Sequence, residues 1–320
     1  MTRRFRRTQS MDNLCHTLAG AALGEAGLKH KTALGLGTLL IASNLPDVDV
    51  AVFATDTLAM SFRRGWTHGI LSLVVLPATF ALVMLAWSRF SGGTRANIRG
   101  LLLLSYVATW LHVFMDWLNS YGVRLLMPFS NRWFYGDALF IVDPILYAVF
   151  GAGIVWSRVR VWRGSPMPNR PARLALATAG VYIAVMLASN AWARSEVRRG
   201  LDRAGRTPET RFMVTPVLAN PLRREVIVDT GDRYEKGLLW FEPGPHFRPT
   251  GFGVDVQASH PAAQRAAQTP RFQAYLRWSR FPFFVVDPSA DGALVYLNDF
   301  RYSAGVGGRL GWSVVSTEVR

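Results

Sequence analysis

Apolar positions crowd the first part of the chain and thin out after it. Long hydrophobic runs fill residues 11–193, whereas 194–320 reads as soluble sequence with strand-like alternation. The run Leu101–Asn119 (LLLLSYVATWLHVFMDWLN) is the centre of the pattern. It predicts a membrane-spanning helix, apolar at nearly every position until His112 and Asp116, which lie at i and i+4 on one face. Ile70–Trp87, Ala138–Trp156 and Leu174–Ala193 predict three further spans. Two shorter runs, Asp12–Leu28 and Thr32–Asn44, predict short helices, the first capped by Asp12 or Asn13. The expected architecture of this part is an all-α membrane bundle of about six helices, two of them short.

Residues 207–320 predict a soluble, β-rich α+β domain beyond a linker at 194–206. Arg224–Asp229 and Tyr234–Phe241 flank Thr230-Gly231-Asp232, a hairpin signal. Ala262–Trp278 carries a helical pattern, and Ala293–Tyr302 and Trp312–Val319 read as closing strands. At the other end, residues 1–10 (MTRRFRRTQS) form a basic extension without a following signal-peptide core. Met11 offers an alternative start.

Half of the 320 residues are hydrophobic and 18% are charged, with a formal net charge of +15. That charge does not describe a nucleic-acid surface, because the arginines sit at the ends of apolar runs and no basic face is interleaved with stacking aromatics. Residues 89–99 and 157–173 carry arginines and no acid, which places both loops on the cytoplasmic side. From Leu101 to Asp116 a helix rises about 24 Å, nearly the ~30 Å hydrocarbon thickness. His68, His112 and Asp116 are therefore expected at one depth near the outer surface. With Lys29–Lys31 cytoplasmic, His16, Asp47 and Asp49 return to the same level. The basic RRFRR stretch would then sit outside, against the charge rule, unless Met11 is the start. The domain at 207–320 is expected outside, beside this layer, with His246 and His260 on its surface.

Six side chains thus converge at one level: His16, Asp47, Asp49, His68, His112 and Asp116. Thr67 is expected to cap the helix that His68 opens, and Pro46 to present Asp47 and Asp49 from a turn. Imidazole with carboxylate, without thiolate, suits zinc first, and manganese or iron as alternatives, with one or two ions. The single cysteine, Cys15, excludes a Cys-rich zinc site and an internal disulfide framework. A buried His112–Asp116 pair without an ion is the competing reading.

The stretches MDNLCHTLAG, NLPDVD, RGWTHG, LHVFMDWLNSYG and DALFIVDP, spanning residues 11–144, resemble the membrane-bound metal-dependent hydrolases, the YdjM-like bacterial inner-membrane proteins. WSRFPFF and NDFRY resemble that family's C-terminal domain. Cys15 stands where Thr is expected, and Gly69 where Ser is usual. The resemblance implies a multi-pass protein of the bacterial cytoplasmic membrane and metal-binding roles for the six residues, with Asp143 as a supporting carboxylate. The function expected on this basis is a metal-dependent hydrolase acting on a lipid or phosphoester at the outer face. In that mechanism Asp49 or Asp143 relays protons. Arg124 or Arg132 holds a phosphate bidentately or else anchors the interface. The alternative is a non-catalytic membrane protein, either an envelope scaffold or a transporter whose inward path would use Glu25 and His30. Partners are membrane lipid and a small-molecule or lipid ester, not nucleic acid; the oligomeric state is open.

Overall fold

A computed structural model describes residues 13–54, 62–91, 95–241, 246–289, 292–303 and 313–319. The basic extension at 1–10, the Asp12 cap and Trp312 lie outside the described residues. The helical part runs in the order α1 (Asn13–Glu25), α2 (Gly35–Ala42), α3 (Ile70–Phe90), α4 (Ile98–Trp117), α5 (Pro144–Trp162) and α6 (Arg170–Arg203). Among the described residues, α3 to α6 are the four helices long and apolar enough to cross a membrane. Their outer faces show why lipid is needed. On α3 alone Leu71, Val74, Val75, Leu82, Val83 and Trp87 are exposed, more apolar surface than a water-soluble fold presents on one helix.

Two boundaries differ from the sequence expectation. α6 does not stop at residue 193 but runs 34 residues to Arg203, so the supposed linker is mostly helix. Its last turns bury Ala193, Val197 and Leu201, spaced by four, against Val214, Val226 and Leu239 of the sheet beyond. Asp143 is not inside a helix but is the N-cap of α5, accepting from the amides of Ile145 and Leu146. Pro144 follows at the first helical position, where its missing N–H costs nothing.

The three basic connections gather at one end of the bundle. Asn97 Nδ2 donates to Lys31 O at 2.8 Å, and Arg173 Nε donates to Ala26 O at 2.9 Å. His112 and Asp116 lie at the opposite end, in the last turns of α4.

The described residues of 207–320 form two antiparallel sheets with two helices between them in sequence. The first sheet has the order β1 (Phe212–Val217), β2 (Asn220–Asp229), β3 (Arg233–Trp240), β4 (His246–Asp255). The expected hairpin is present, pairing Asp229 with Tyr234. The single helical pattern divides into α7 (Pro261–Ala267) and α8 (Pro270–Trp278), because Pro270 starts a new helix with Thr269 as its cap. The second sheet is β5 (Pro282–Ser289), β6 (Gly292–Asp299), β7 (Val315–Val319).

This domain docks on the loop after α4, the site end of the bundle. Arg280 donates to both oxygens of Asp137, at 2.9 and 2.8 Å. Arg301 Nη1 donates to Ser120 O at 2.6 Å, and Trp133 Nε1 to Arg277 O at 2.8 Å. Tyr121 is buried among Tyr275, Trp278 and Val295, inside the domain's own core. The WSRFPFF and NDFRY stretches supply much of this joint, through Arg280 and Arg301.

Candidate metal centre

α1, the 3-10 stretch Leu45–Ala54, the turn before α3, and α4 each bring one part of the centre. In Leu45–Ala54 the side chains alternate. Asp47 and Asp49 are buried while Val48 and Val50 are exposed. The expected turn is thus a short 3-10 helix that aims both carboxylates inward. The turn Arg63–Gly69 is not a helix start. α3 begins at Ile70, with Gly69 at its cap position. Thr67 does not cap it; its hydroxyl lies 3.2 Å from Asp49 Oδ2 and 2.9 Å from His68 Nδ1. Gly69 is required here, since a Cβ at that position would run into the Met127 carbonyl, and a Ser would do the same.

Four groups, Asp47, His68, His112 and Asp116, offer ligand atoms that all lie within 4.8 Å of one another. His68 Nε2 is 3.3 Å from His112 Nε2 and 3.2 Å from Asp116 Oδ2. His112 Nε2 lies 3.5 Å from Asp116 Oδ2 and 3.9 Å from Asp47 Oδ2. Ligands held at about 2.0–2.1 Å in a tetrahedron stand roughly 3.3 Å apart, which the His68, His112 and Asp116 separations match while Asp47 stands farther out at 3.9 Å. His112 Nδ1 donates to Ser43 O at 2.7 Å, which in the neutral ring leaves the Nε2 lone pair facing the cluster. The donor set fits the expected ion.

His16 belongs to the cluster but on its far side. Its ring stacks on His112 at 3.8 Å between centroids, and its Nε2 is 3.3 Å from Asp116 Oδ1, the oxygen turned away from His68. Asp49 is also one layer out. Its oxygens accept from Arg63 Nε (3.1 Å), the Arg64 amide (2.8 Å) and Thr67, and it lies 3.7 Å from His68 Nδ1. It therefore orients His68 through Thr67.

The sequence reading gave no role to Arg63 and Arg64, yet both are buried in the centre. Arg63 Nη2 is 2.9 Å from Asp47 Oδ1, and Arg64 Nη2 is 2.6 Å from Asp116 Oδ1. Arg64 also donates to Asn119 Oδ1 at 2.9 Å, and its guanidinium covers the Tyr121 ring at 4.8 Å. Three carboxylates against two guanidiniums leave one negative charge uncompensated. A buried excess charge demands a proton or a cation, and two imidazoles beside it supply the ligands for the latter.

Three other expected site residues lie outside the four-ligand quartet. Besides capping α5, Asp143 accepts from the Tyr182 hydroxyl at 2.9 Å and takes no part in the cluster. Arg124 is buried beside the Arg63–Gly69 turn, donating to Phe62 O at 2.7 Å and Arg63 O at 3.5 Å and lying over the Trp133 ring at 5.1 Å. Arg132 is exposed over the Phe134 ring. Glu25 is ion-paired with Lys29 and Arg158 at the basic end of the bundle. Of the two histidines expected on the domain surface, His260 is exposed and caps α7. The side chain of His246 lies outside those described.

The family model of the YdjM inner membrane protein matches residues 11–193. The chain is similar to YfhP of Bacillus subtilis (strain 168), described as an uncharacterized protein, at 26% identity over 163 residues. That match covers 46% of this chain and 46% of the relative, so the chain spans about half the relative's length. No solved structure matches.

Proposed function

The chain belongs to the YdjM inner membrane protein family, and from that premise we propose that its His/Asp centre holds a divalent metal ion, zinc in the first place, and hydrolyses a lipid-borne or other phosphoester at the outer membrane face. The observation that carries this reading is the convergence of two imidazole Nε2 atoms and two carboxylates at one end of the spans. A divalent ion bound there would lower the pKa of its water to about 7 and polarise an ester oxygen. The chain's own residues do the positioning. His112 is set by Ser43 O, His68 by Thr67 and Asp49, and Asp116 by Arg64. Val48, Val50 and Trp66, next in sequence to centre residues, are exposed apolar side chains at this end of the bundle, a surface suited to acyl chains. A transporter reading is disfavoured by Glu25, whose charge is committed to Lys29 and Arg158.

The test is a screen of metal-loaded protein against phospholipids, lipid pyrophosphates and generic phosphoesters. Asp116→Asn is expected to weaken metal binding by more than about 100-fold, the upper end for loss of a mere supporting partner. Asp49→Asn is expected to keep the ion while turnover falls roughly ten- to a hundred-fold. Turnover that survives both substitutions and chelation would rule out the centre as the active site.

Orientation follows from the arginine-only connections. With 89–99 and 157–173 cytoplasmic, the centre and residues 207–320 are outside. A fusion after Arg320 is therefore expected to be active with an alkaline phosphatase reporter and silent with a cytoplasmic one. The reverse pattern would turn the site inward.

A further inference from the structure

The two arginines divide the carboxylates into inner and outer oxygens. Asp47 Oδ2 and Asp116 Oδ2 face His112, whereas Asp47 Oδ1 and Asp116 Oδ1 are held by Arg63 and Arg64. Arg63 bridges Asp47 Oδ1 at 2.9 Å and Asp49 Oδ1 at 3.1 Å with one planar cation. Arg64 shares Asp116 Oδ1 with His16 Nε2. In two-metal hydrolases a carboxylate bridges ions about 3.5–4 Å apart. Here each such carboxylate has a guanidinium on its outer oxygen instead. Of the two places where a second ion would find donors, Arg63 bridges the one between Asp47 and Asp49, and at the other Arg64 already takes the Asp116 oxygen that His16 faces.

We propose that the centre takes a single divalent ion, and that Arg63 and Arg64 stand where a second ion would bind. The inference rests on the metal-binding reading given above and narrows it. Its electrostatic side is direct. One ion brings three carboxylates and two guanidiniums to a net charge of plus one, and a second would make it plus three in a buried site. Asp47 and Asp116 are then bridging ligands between ion and guanidinium, and Arg63 and Arg64 are positioning residues. One positive charge left over also favours an anionic substrate.

Full-length protein in detergent, equilibrated with excess zinc and desalted, is expected to carry one zinc per chain by elemental analysis. Manganese-loaded protein is expected to give the electron paramagnetic resonance signal of isolated Mn²⁺. In Arg63→Met the outer oxygens of Asp47 and Asp49 are released, and a second ion is expected to bind at least about tenfold more weakly than the first. Arg63→Lys, which keeps a cation in place, is expected to stay at one. A merely structural arginine predicts loss of metal in Arg63→Met, not gain. Two ions in the wild-type protein, or a spin-coupled manganese signal, overturn this inference and leave the metal centre standing. No ion in the wild-type protein overturns both. An Arg63→Met protein that remains at one ion under saturating zinc refutes the role given to the guanidinium, and the manganese signal decides the question if that variant does not fold.

Discussion

The doubly substituted protein His68→Ala/His112→Ala is expected to retain no divalent ion through desalting, where the wild type retains it stoichiometrically. These histidines supply the two nitrogen donors of the quartet, and their Nε2 atoms stand 3.3 Å apart. Each is aimed from behind, His112 by Ser43 O and His68 by the Thr67 hydroxyl. What is left is Asp47 and Asp116, whose other oxygens are occupied by arginine. Two hard carboxylates without imidazole hold zinc far less tightly than a mixed four-ligand set. The arginine–carboxylate pairs persist in the variant, so the bundle is expected to stay folded. Unchanged helical circular dichroism together with lost metal is the expected pair of results. A folded variant with full metal content would move the site away from this cluster.

The second large effect lies in the C-terminal domain. Arg301→Met is expected to destabilise that domain by about 3–5 kcal/mol, the usual cost of stripping one partner from a buried ion pair. Asp299 is fully buried and accepts from Ser279 Oγ, the amides of Arg280 and Arg301, and the Arg301 guanidinium. Burial alone would raise its pKa. The Arg301 charge, with the hydrogen bonds from Arg301 and Ser279, overcomes this and holds the carboxyl below its ordinary range. The folded state therefore binds that proton less readily than the unfolded chain. The pair's contribution is present above the unfolded pKa of about 3.9 and is lost as pH falls through the lower folded value. Limited proteolysis within 207–320 along a temperature series reads the effect. Equal resistance in variant and wild type would show that the pair adds nothing.

The helices and the centre were legible for a shared reason. Each of His16, Asp47, His68 and Asp116 sits where an apolar run begins or ends, and charge asymmetry put those ends at one level. The arginines were not legible as part of the centre. An Arg pair before an apolar run reads as an interfacial anchor, and the carboxylate partners of Arg63 and Arg64 lie between 14 and 52 positions away. Asp143 carried its own signal: an Asp directly before Pro at the head of an apolar run is an N-cap with Pro at N1. The spacing by four of Ala193, Val197 and Leu201 likewise announced the extension of α6. β1, β4 and β5 each contain proline, which hid them from a strand pattern.

Tyr121 has one face toward the Arg64 guanidinium and its body in the core shared by Trp278 and Tyr275. The order of synthesis gives this joint a meaning in time. The ribosome delivers His16 through Asp116 first, while the residues that enclose Tyr121 emerge more than 140 positions later. Until they fold, the ring beneath Arg64 lacks the cover of Trp278 and Tyr275. The burial of Tyr121 is therefore completed by side chains from the last third of the chain. A nascent chain halted after α6 would carry His16, Asp47, Asp49, His68, His112 and Asp116 but not the side chains that enclose Tyr121.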